Sequence, residues 1–302
     1  MPLESRINLY LCMQNTGTMT FSDFWRPLTA VYDEHEAKAV ARLVLETRFG
    51  LTMADVLCGR MAADEELLPI QGRLLQGEPV QYVLGEAEFG GRSFRVAPGV
   101  LIPRPETYEL CQWSLHLLGQ GPAVQSLSGW RGSVLDVGTG SGCIACTLAA
   151  ALPQATVTAW DISEEALAIA RENAERTHVH VSFEQQDILR HSELKARKSK
   201  IDIIISNPPY ICEQEKTAME PGVLDYEPHV ALFVPDDDPL LFYRAIAVYA
   251  RQALKPGGAL FFEINPLYKK PLEQLLYGLG FAAVEQREDQ FGKIRFMKAM
   301  QL

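Results

Sequence analysis

The sequence predicts an α/β fold with a largely parallel sheet, preceded by a small helical region. From about residue 133 onward, short apolar runs alternate with helical patterns, which is typical of βαβ units. Residues 20–85 lack alternating strand patterns and have the spacing of short amphipathic helices. With 302 residues, 47% of them hydrophobic and 22% charged, the chain has the composition of a globular protein of one or two domains.

Composition also narrows the setting. No run approaches the roughly 20 apolar residues that a membrane-spanning helix needs, and no signal-peptide pattern is present at the N-terminus. Six cysteines are scattered without the spacing of a disulfide scaffold. We therefore expect a cytoplasmic protein. The net charge of −10 disfavours binding to a long phosphate backbone, so no nucleic acid is expected as a partner. Without a membrane-spanning run, no membrane is expected as a partner either.

The N-terminal half predicts helices followed by a hairpin. One helix spans Glu34–Phe49 with Gly50 as its stop, and another covers Leu67–Gln76. A hairpin follows over Glu88–Val96, with Gly90-Gly91 as its turn. The resulting division is a disordered or extra segment (1–19), a helical substrate-recognition domain (20–85), a β-hairpin linker (86–105) and the catalytic domain (106–302).

The alternating region begins with a strand, a glycine-rich turn and a helix. The strand is Ser133–Val137, the turn is Gly138–Gly142, and the helix is Cys143–Leu152. Such glycines let the backbone approach a ligand, and the helix start aims free N–H groups at it. The spacing differs from that of dinucleotide folds, and Asp136 would repel pyrophosphate while suiting the ammonium of an amino-acid-bearing cofactor. A tight connector without a ligand is the alternative.

Acidic residues follow the next two predicted strands. Asp161 ends the strand Thr156–Trp160, about 20 residues after the glycine turn, where an acid binds both hydroxyls of a ribose; capping of the next helix, Glu164–Arg176, is the alternative. The third strand, Val179–Glu184, leads to Asp187-Ile188, placed to contact an adenine amino group and ring. That assignment is looser, because acids are common in strand-end loops.

The fourth strand, Ile201–Ser206, runs into Asn207-Pro208-Pro209-Tyr210. The Asn207 side-chain oxygen and the Pro208 carbonyl can each accept one N–H of a planar NH2 group, while the prolines stiffen the loop. Tyr210 can stack on the group held there. A proline-stopped strand end is the plain alternative. Since the carboxyl ends of parallel strands share one edge of the sheet, the four features together predict an S-adenosylmethionine site with a methyl acceptor beside it.

Several further segments carry a resemblance to a known family. They include Pro79-Val80-Gln81-Tyr82, Leu101-Ile102-Pro103-Arg104-Pro105-Glu106-Thr107, Tyr226-Glu227-Pro228-His229-Val230-Ala231-Leu232 and Glu263-Ile264. With Asn-Pro-Pro-Tyr, these segments resemble the HemK/PrmC family of protein-(glutamine-N5) methyltransferases, which act on class I peptide chain release factors in translation termination. The resemblance covers about residues 20–302.

The resemblance implies a Rossmann-like class I methyltransferase fold with a seven-stranded mixed sheet, in which Lys293–Lys298 is the antiparallel strand. It implies that the glutamine of the Gly-Gly-Gln motif is the methyl acceptor. The implied catalytic residues are Asn207, Pro208, Pro209 and Tyr210. The cofactor residues are Asp136, Gly138, Thr139, Gly140, Ser141, Gly142, Asp161, Asp187, Ile188 and Asn207, and no metal is expected. Tyr108 and Asn265-Pro266 depart from the family pattern, where glutamate and glycine are usual.

Two other functions remain open at the level of sequence. An adenine or cytosine amino methyltransferase shares Asn-Pro-Pro-Tyr, but it needs a basic groove that the acidic charge disfavours. A binding module without catalysis is the third, and the intact glycine turn, Asp161 and Asn207 weigh against it. Cys143 and Cys146 form a C-x-x-C pair without a second metal pair, which favours small buried helix residues.

Overall fold

The computed structural model describes residues 19–119, 127–190 and 200–302. The chain divides into two compact units, the first ending at Leu84 and the second beginning at Gly85. The four predicted segment boundaries stay predictions, and nearly all of the first predicted segment lies outside the described residues.

The first unit is helical and has its own core. Its helices are α1 (Phe21–Leu28), α2 (Glu34–Phe49), α3 (Met53–Leu57), α4 (Asp64–Leu75) and α5 (Val80–Leu84). Helix α2 has the predicted bounds and ends at Gly50, whose φ of 64° is left-handed backbone that glycine adopts without strain. Helix α4 begins before the predicted Leu67, because the acids of Asp64–Glu66 suit the positive end of a helix. Apolar side chains from these helices, among them Phe24 and Leu45, pack into one buried cluster.

The second unit contains a seven-stranded mixed sheet. After the hairpin strands β1 (Glu86–Phe89) and β2 (Arg92–Arg95), the larger strands are β3 (Ser133–Val137), β4 (Thr156–Asp161), β5 (Ser182–Gln185), β6 (Ile201–Ser206), β9 (Leu254–Glu263), β10 (Phe281–Glu288) and β11 (Ile294–Gln301); β7 (Ile211–Cys212) and β8 (Phe233–Val234) form a separate pair. The sheet order is β10-β11-β9-β6-β3-β4-β5. Strand β11 is antiparallel to both neighbours, so the predicted antiparallel strand is confirmed.

Helices cover both faces of this sheet. They are α6 (Pro105–Gly119), α7 (Cys143–Ala151), α8 (Glu164–Arg176), α10 (Leu241–Ala253) and α11 (Lys269–Gly278); the short helix α9 (Pro221–Tyr226) lies between β7 and β8 in the chain. Alternate side chains of β6 enter different buried clusters: Ile204 packs with residues of α10 and α11, while Ile203 and Ile205 pack with residues of α6 and α7. A strand buried on both faces is largely apolar, which explains the run Ile203–Ile205 in β6.

The hairpin is attached to the glycine turn through one side chain of α8. The amide group of Asn173 is fully buried; its oxygen accepts from the Arg95 N–H at 2.6 Å. Its nitrogen donates to the carbonyls of Arg95 at 2.9 Å and Ser141 at 2.8 Å. The Asn173 side chain thus supplies hydrogen-bond partners to the backbone of Arg95 in the hairpin and of Ser141 in the glycine turn.

The third strand of the sheet is shorter than predicted. The sequence predicts Val179–Glu184, whereas β5 runs over Ser182–Gln185. The Val179 N–H donates to the Ala174 carbonyl at the end of α8, and His178 has a left-handed φ of 55°. The backbone there closes the helix and is not available to the ladder.

Among the described residues, no helix has the length and apolar character needed to cross a membrane.

Candidate active site

The carboxyl ends of the central parallel strands surround a cavity of about 240 Å³. Its walls include most of the residues predicted for the site: Gly138, Thr139, Gly140, Ser141, Asp161, Asp187, Ile188, Asn207, Pro208 and Pro209. The remaining predicted residues, Asp136, Gly142 and Tyr210, do not line this cavity. The structure therefore brings the glycine turn, the strand-end acids and the Asn-Pro-Pro loop to one place.

The glycine turn presents backbone to the cavity. Gly138 and Gly140 have φ of 73° and 53°, and a Cβ at either would meet no atom within 4 Å. The N–H groups of Gly138 and Thr139 both donate to the Trp160 carbonyl at 2.9 Å. The turn is held in place, and the space beside its glycines is open to a ligand.

Gly142 has a different task in the same turn. It is the N-cap of α7 with φ of 80°, and a Cβ there would lie 2.9 Å from the Ala170 Cβ on α8. Its lack of a side chain permits close packing of the two helices.

Asp136 lies beneath the turn. Its side chain is fully buried, and one carboxyl oxygen accepts from the Thr139 hydroxyl at 2.6 Å. Burial raises the pKa of Asp136 to about 7, with the hydrogen bond from Thr139 opposing the shift. The predicted contact with a cofactor ammonium stays a prediction.

Asp161 connects the glycine turn to the start of α8, and its predicted contact with a ribose stays a prediction. One carboxyl oxygen accepts from the Gly140 N–H at 2.8 Å and the other from the Ser163 N–H at 3.0 Å, where α8 begins. Burial raises the pKa of Asp161, and these backbone hydrogen bonds oppose the shift. Each oxygen retains a further acceptor site, so the side chain can hold the turn and still accept from two hydroxyls.

The next wall of the cavity is apolar. Ile188 is buried and lines it, together with Ile162, Phe242 and Ile246. Asp187 also lines the cavity, and its carboxylate accepts from the Leu189 N–H at 2.9 Å. A slot with apolar walls and one carboxylate fits a flat ring that carries an amino group.

The Asn-Pro-Pro loop separates this cavity from a second one of about 220 Å³. Asn207 and Pro208 line both cavities, whereas Tyr210 lines only the second. The loop thus borders both cavities, so groups bound in the two cavities can meet beside it.

A buried hydrogen-bond network supports this loop from behind. The Asn207 side-chain nitrogen donates to the Thr107 hydroxyl at 3.1 Å, which donates to Glu263 at 2.6 Å. The Tyr210 hydroxyl donates to the other oxygen of Glu263 at 3.0 Å. Burial raises the pKa of Glu263, while the hydroxyl groups of Thr107 and Tyr210 and the charge of Arg295 oppose the rise. The hydroxyl of Tyr210 is fixed, and stacking by its ring stays a prediction.

The buried carboxylate of Glu227 connects two loops beside the cavities. Glu227 accepts from the Ile102 N–H at 3.1 Å and pairs with the Arg104 guanidinium. Arg104 lines both cavities. Because Glu227 is almost fully buried while Arg104 remains partly exposed, the carboxylate holds the guanidinium at the cavity wall.

Comparison with known proteins identifies the family. A model of the methyltransferase small domain matches residues 123–221. The release factor glutamine methyltransferase of Bacteroides thetaiotaomicron is 46% identical over 277 residues, covering 90% of this chain and 95% of the relative. That of Flavobacterium psychrophilum is 40% identical over 282 residues, covering 92% and 96%. The chain belongs to the release factor glutamine methyltransferase family. The family resemblance predicted from sequence is confirmed, and the protein is a methyltransferase.

A solved structure agrees on the fold. The Thermus thermophilus 16S rRNA N2 G1207 methyltransferase RsmC, in complex with AdoMet and guanosine, aligns with a TM-score of 0.51 and 22% identity, covering 72% of this chain and 50% of that one. The predicted class I methyltransferase fold with a seven-stranded mixed sheet is therefore confirmed.

Both departures from the family pattern have structural explanations. The ring of Tyr108 packs edge-on against Phe89 at 5.5 Å and fills the space beside Gly90, so it serves the hairpin. The Asn265 side chain donates to the Tyr210 carbonyl at 3.1 Å and to the Glu215 carboxylate at 3.0 Å. Asn265 thus ties the end of the Asn-Pro-Pro-Tyr loop to its neighbours.

The C-x-x-C pair lies on α7, and Cys143 lines the first cavity. Burial raises the pKa of each thiol to about 12, so neither Cys143 nor Cys146 is a ready thiolate. Another cavity, of about 560 Å³, lies between α6 and β10 and is lined by Trp113 and Arg287 among others. It contains none of the predicted site residues.

Sequence reasoning assigned no role to several residues that build the site. Thr107, Glu227 and Glu263 lie within the segments that carry the family resemblance, which was the available signal. Asn173 and Asn265 had no such signal. Their roles depend on partners distant in the chain.

Proposed function

We propose that this protein transfers a methyl group from S-adenosylmethionine to the side-chain amide nitrogen of the glutamine in the Gly-Gly-Gln motif of class I peptide chain release factors. The single observation that supports this most is the shared wall: Asn207 and Pro208 line both the cavity of the glycine turn and the cavity beside it. A methyl donor on one side and an amide on the other would meet at that wall. The relatives named release factor glutamine methyltransferases support the choice of acceptor.

The residues of the first cavity fit S-adenosylmethionine. The open space at Gly138 and Gly140 suits the methionine part, the Asp161 carboxylate suits the ribose hydroxyls, and the wall at Ile188 suits the adenine. When bound, this cofactor would supply an electrophilic methyl group on a sulfonium, whose neutral thioether is an excellent leaving group.

The residues of the loop position the acceptor. An amide nitrogen is a poor nucleophile because its lone pair is delocalised into the carbonyl. Hydrogen bonds from its two N–H groups to the Asn207 side-chain oxygen and the Pro208 carbonyl localise charge on nitrogen and aim it at the methyl group. Orientation of two reactants can supply roughly 7–11 kcal/mol. We assign no general base, since the methylated nitrogen is acidic enough to release its proton late.

The test is methyl transfer from labelled S-adenosylmethionine to unmodified release factor, duplex DNA and RNA in parallel. We expect one added methyl on the Gly-Gly-Gln glutamine, mapped by peptide mass. Label in nucleic acid alone would instead identify a base methyltransferase.

The matched variant is Asn207→Ala. It should reduce transfer to release factor by at least 100-fold, about 2.7 kcal/mol, because it removes one of two hydrogen bonds that strengthen as charge develops. Affinity for S-adenosylhomocysteine should stay within about threefold of the unsubstituted protein, since the glycine turn, Asp161 and Ile188 keep their places in the first cavity. Retained transfer by this variant would contradict the amide clamp.

A further inference from the structure

The orientation of the Asn207 side chain follows from a proton count in the network behind it. Thr107 and Glu263 are both almost fully buried. The Thr107 oxygen lies 2.6 Å from one carboxyl oxygen of Glu263 and 3.1 Å from the Asn207 side-chain nitrogen. Thr107 is 100 positions from Asn207 and 156 positions from Glu263 in the chain, so only the folded protein brings these three residues together.

A threonine hydroxyl has one proton to donate, and a carboxylate can only accept. The Thr107 proton is therefore committed to Glu263, and toward Asn207 the hydroxyl can only accept. The second oxygen of Glu263 is likewise occupied, because the Tyr210 hydroxyl donates to it at 3.0 Å. The NH2 of Asn207 must face Thr107, which leaves its oxygen on the side of the cavities.

This orientation of the Asn207 amide decides which chemical groups can bind beside it as the methyl acceptor. An NH2 group finds an acceptor at the Asn207 oxygen, whereas a carboxylate would meet lone pairs there. If the Asn207 amide were reversed, its NH2 would face the cavities and would favour a carboxylate.

We propose that Glu263, acting through the Thr107 hydroxyl, is a positioning residue that fixes the amide orientation of Asn207 and so makes the site select a carboxamide over a carboxylate. The inference rests on the proposed function, and it adds the residues that determine specificity at the acceptor. Thr107 lines the first cavity and Glu263 lines the second, and the scheme gives neither side chain a hydrogen bond to substrate. Both act through Asn207.

The experiment compares two forms of a class I release factor, one with the Gly-Gly-Gln glutamine and one with glutamate in its place. Their dissociation constants are measured against the full-length enzyme saturated with S-adenosylhomocysteine, so that no reaction occurs. The readout is the ratio of the two constants. A variant that is merely less stable would weaken both partners alike and leave the ratio unchanged.

The unsubstituted enzyme should prefer glutamine by at least tenfold. Thr107→Val keeps the shape but removes the hydroxyl, and the ratio should fall to within about threefold of unity. Thr107→Ser retains the hydroxyl and should restore at least tenfold preference. Glu263→Gln is a second, independent variant: its amide can donate to Thr107, which releases the threonine proton toward Asn207, so the ratio should also fall.

An unchanged ratio in both Thr107→Val and Glu263→Gln, with S-adenosylhomocysteine binding intact, would overturn the inference. So would a ratio that Thr107→Ser fails to restore. Failure of the proposed function is recognised separately, because the unsubstituted enzyme would then add no methyl to the glutamine form in a parallel transfer assay.

Discussion

The two kinds of glycine in the turn after β3 should respond differently to alanine. At Gly142 the φ of 80° is left-handed backbone, which costs an L-residue about 1–2 kcal/mol. A Cβ there also lies 2.9 Å from the Ala170 Cβ and 3.2 Å from its Cα, a contact that costs about 1–3 kcal/mol. Gly142→Ala should therefore reduce the free energy of unfolding by about 2–5 kcal/mol.

The matched control is Gly292→Ala. Its φ of 77° is nearly the same, but no atom lies within 4 Å of the added Cβ. It should lose only the backbone contribution, about 1–2 kcal/mol. Ala170→Gly costs about 1 kcal/mol of helix propensity by itself. Combined with Gly142→Ala, it should show a favourable coupling of about 1–2 kcal/mol, since the opposing Cβ is gone.

Urea unfolding followed by circular dichroism measures these differences, and calorimetry with S-adenosylhomocysteine measures the ligand side. Gly140→Ala completes the set, because its Cβ would enter open space on the cavity wall. It should lower ligand affinity at least tenfold while costing about the same stability as Gly292→Ala. Equal stability losses for Gly142→Ala and Gly292→Ala, or no coupling with Ala170→Gly, would refute the packing role of Gly142.

Three further predictions concern the buried polar groups. Asp136→Asn should stabilise the protein by up to about 4 kcal/mol at pH 9 and by much less at pH 5, because burial raises the pKa of Asp136 from 3.8 to about 7 and the ionised form opposes folding. Urea unfolding at pH 5, 7 and 9 measures this difference. A gain in stability that is independent of pH would contradict it. Tyr210→Phe should cost about 1–3 kcal/mol of stability, because Glu263 loses a buried donor, and should slow transfer less than Asn207→Ala; a larger loss of transfer would give the hydroxyl a direct role. Arg104→Ala should cost about 3–5 kcal/mol of stability, since it leaves the buried Glu227 without its charged partner. It should raise the KM for release factor more than the KM for S-adenosylmethionine, and the reverse order would place Arg104 on the cofactor side.

The sequence predicted the elements that depend on neighbouring residues. The helix Glu34–Phe49 with its stop at Gly50 and the strand Ile201–Ser206 both follow from short-range patterns of apolar spacing and helix termination. The predicted start of the third strand at Val179 was wrong, because the Val179 N–H donates to the Ala174 carbonyl at the end of α8. That competition between a helix end and a ladder has no signature in hydrophobic periodicity.

The sequence by itself determined the α/β class, the family and ten of the residues that line the cavity, because a strand followed by a glycine turn or an Asn-Pro-Pro turn is a local property of the chain. Only the tertiary structure decided that Gly142 packs helices, that Asp136 lies beneath the turn, and that Glu263 is connected to Asn207 through Thr107. Buried polar groups must find hydrogen-bond partners, and which partners they find depends on where distant segments meet in the folded chain.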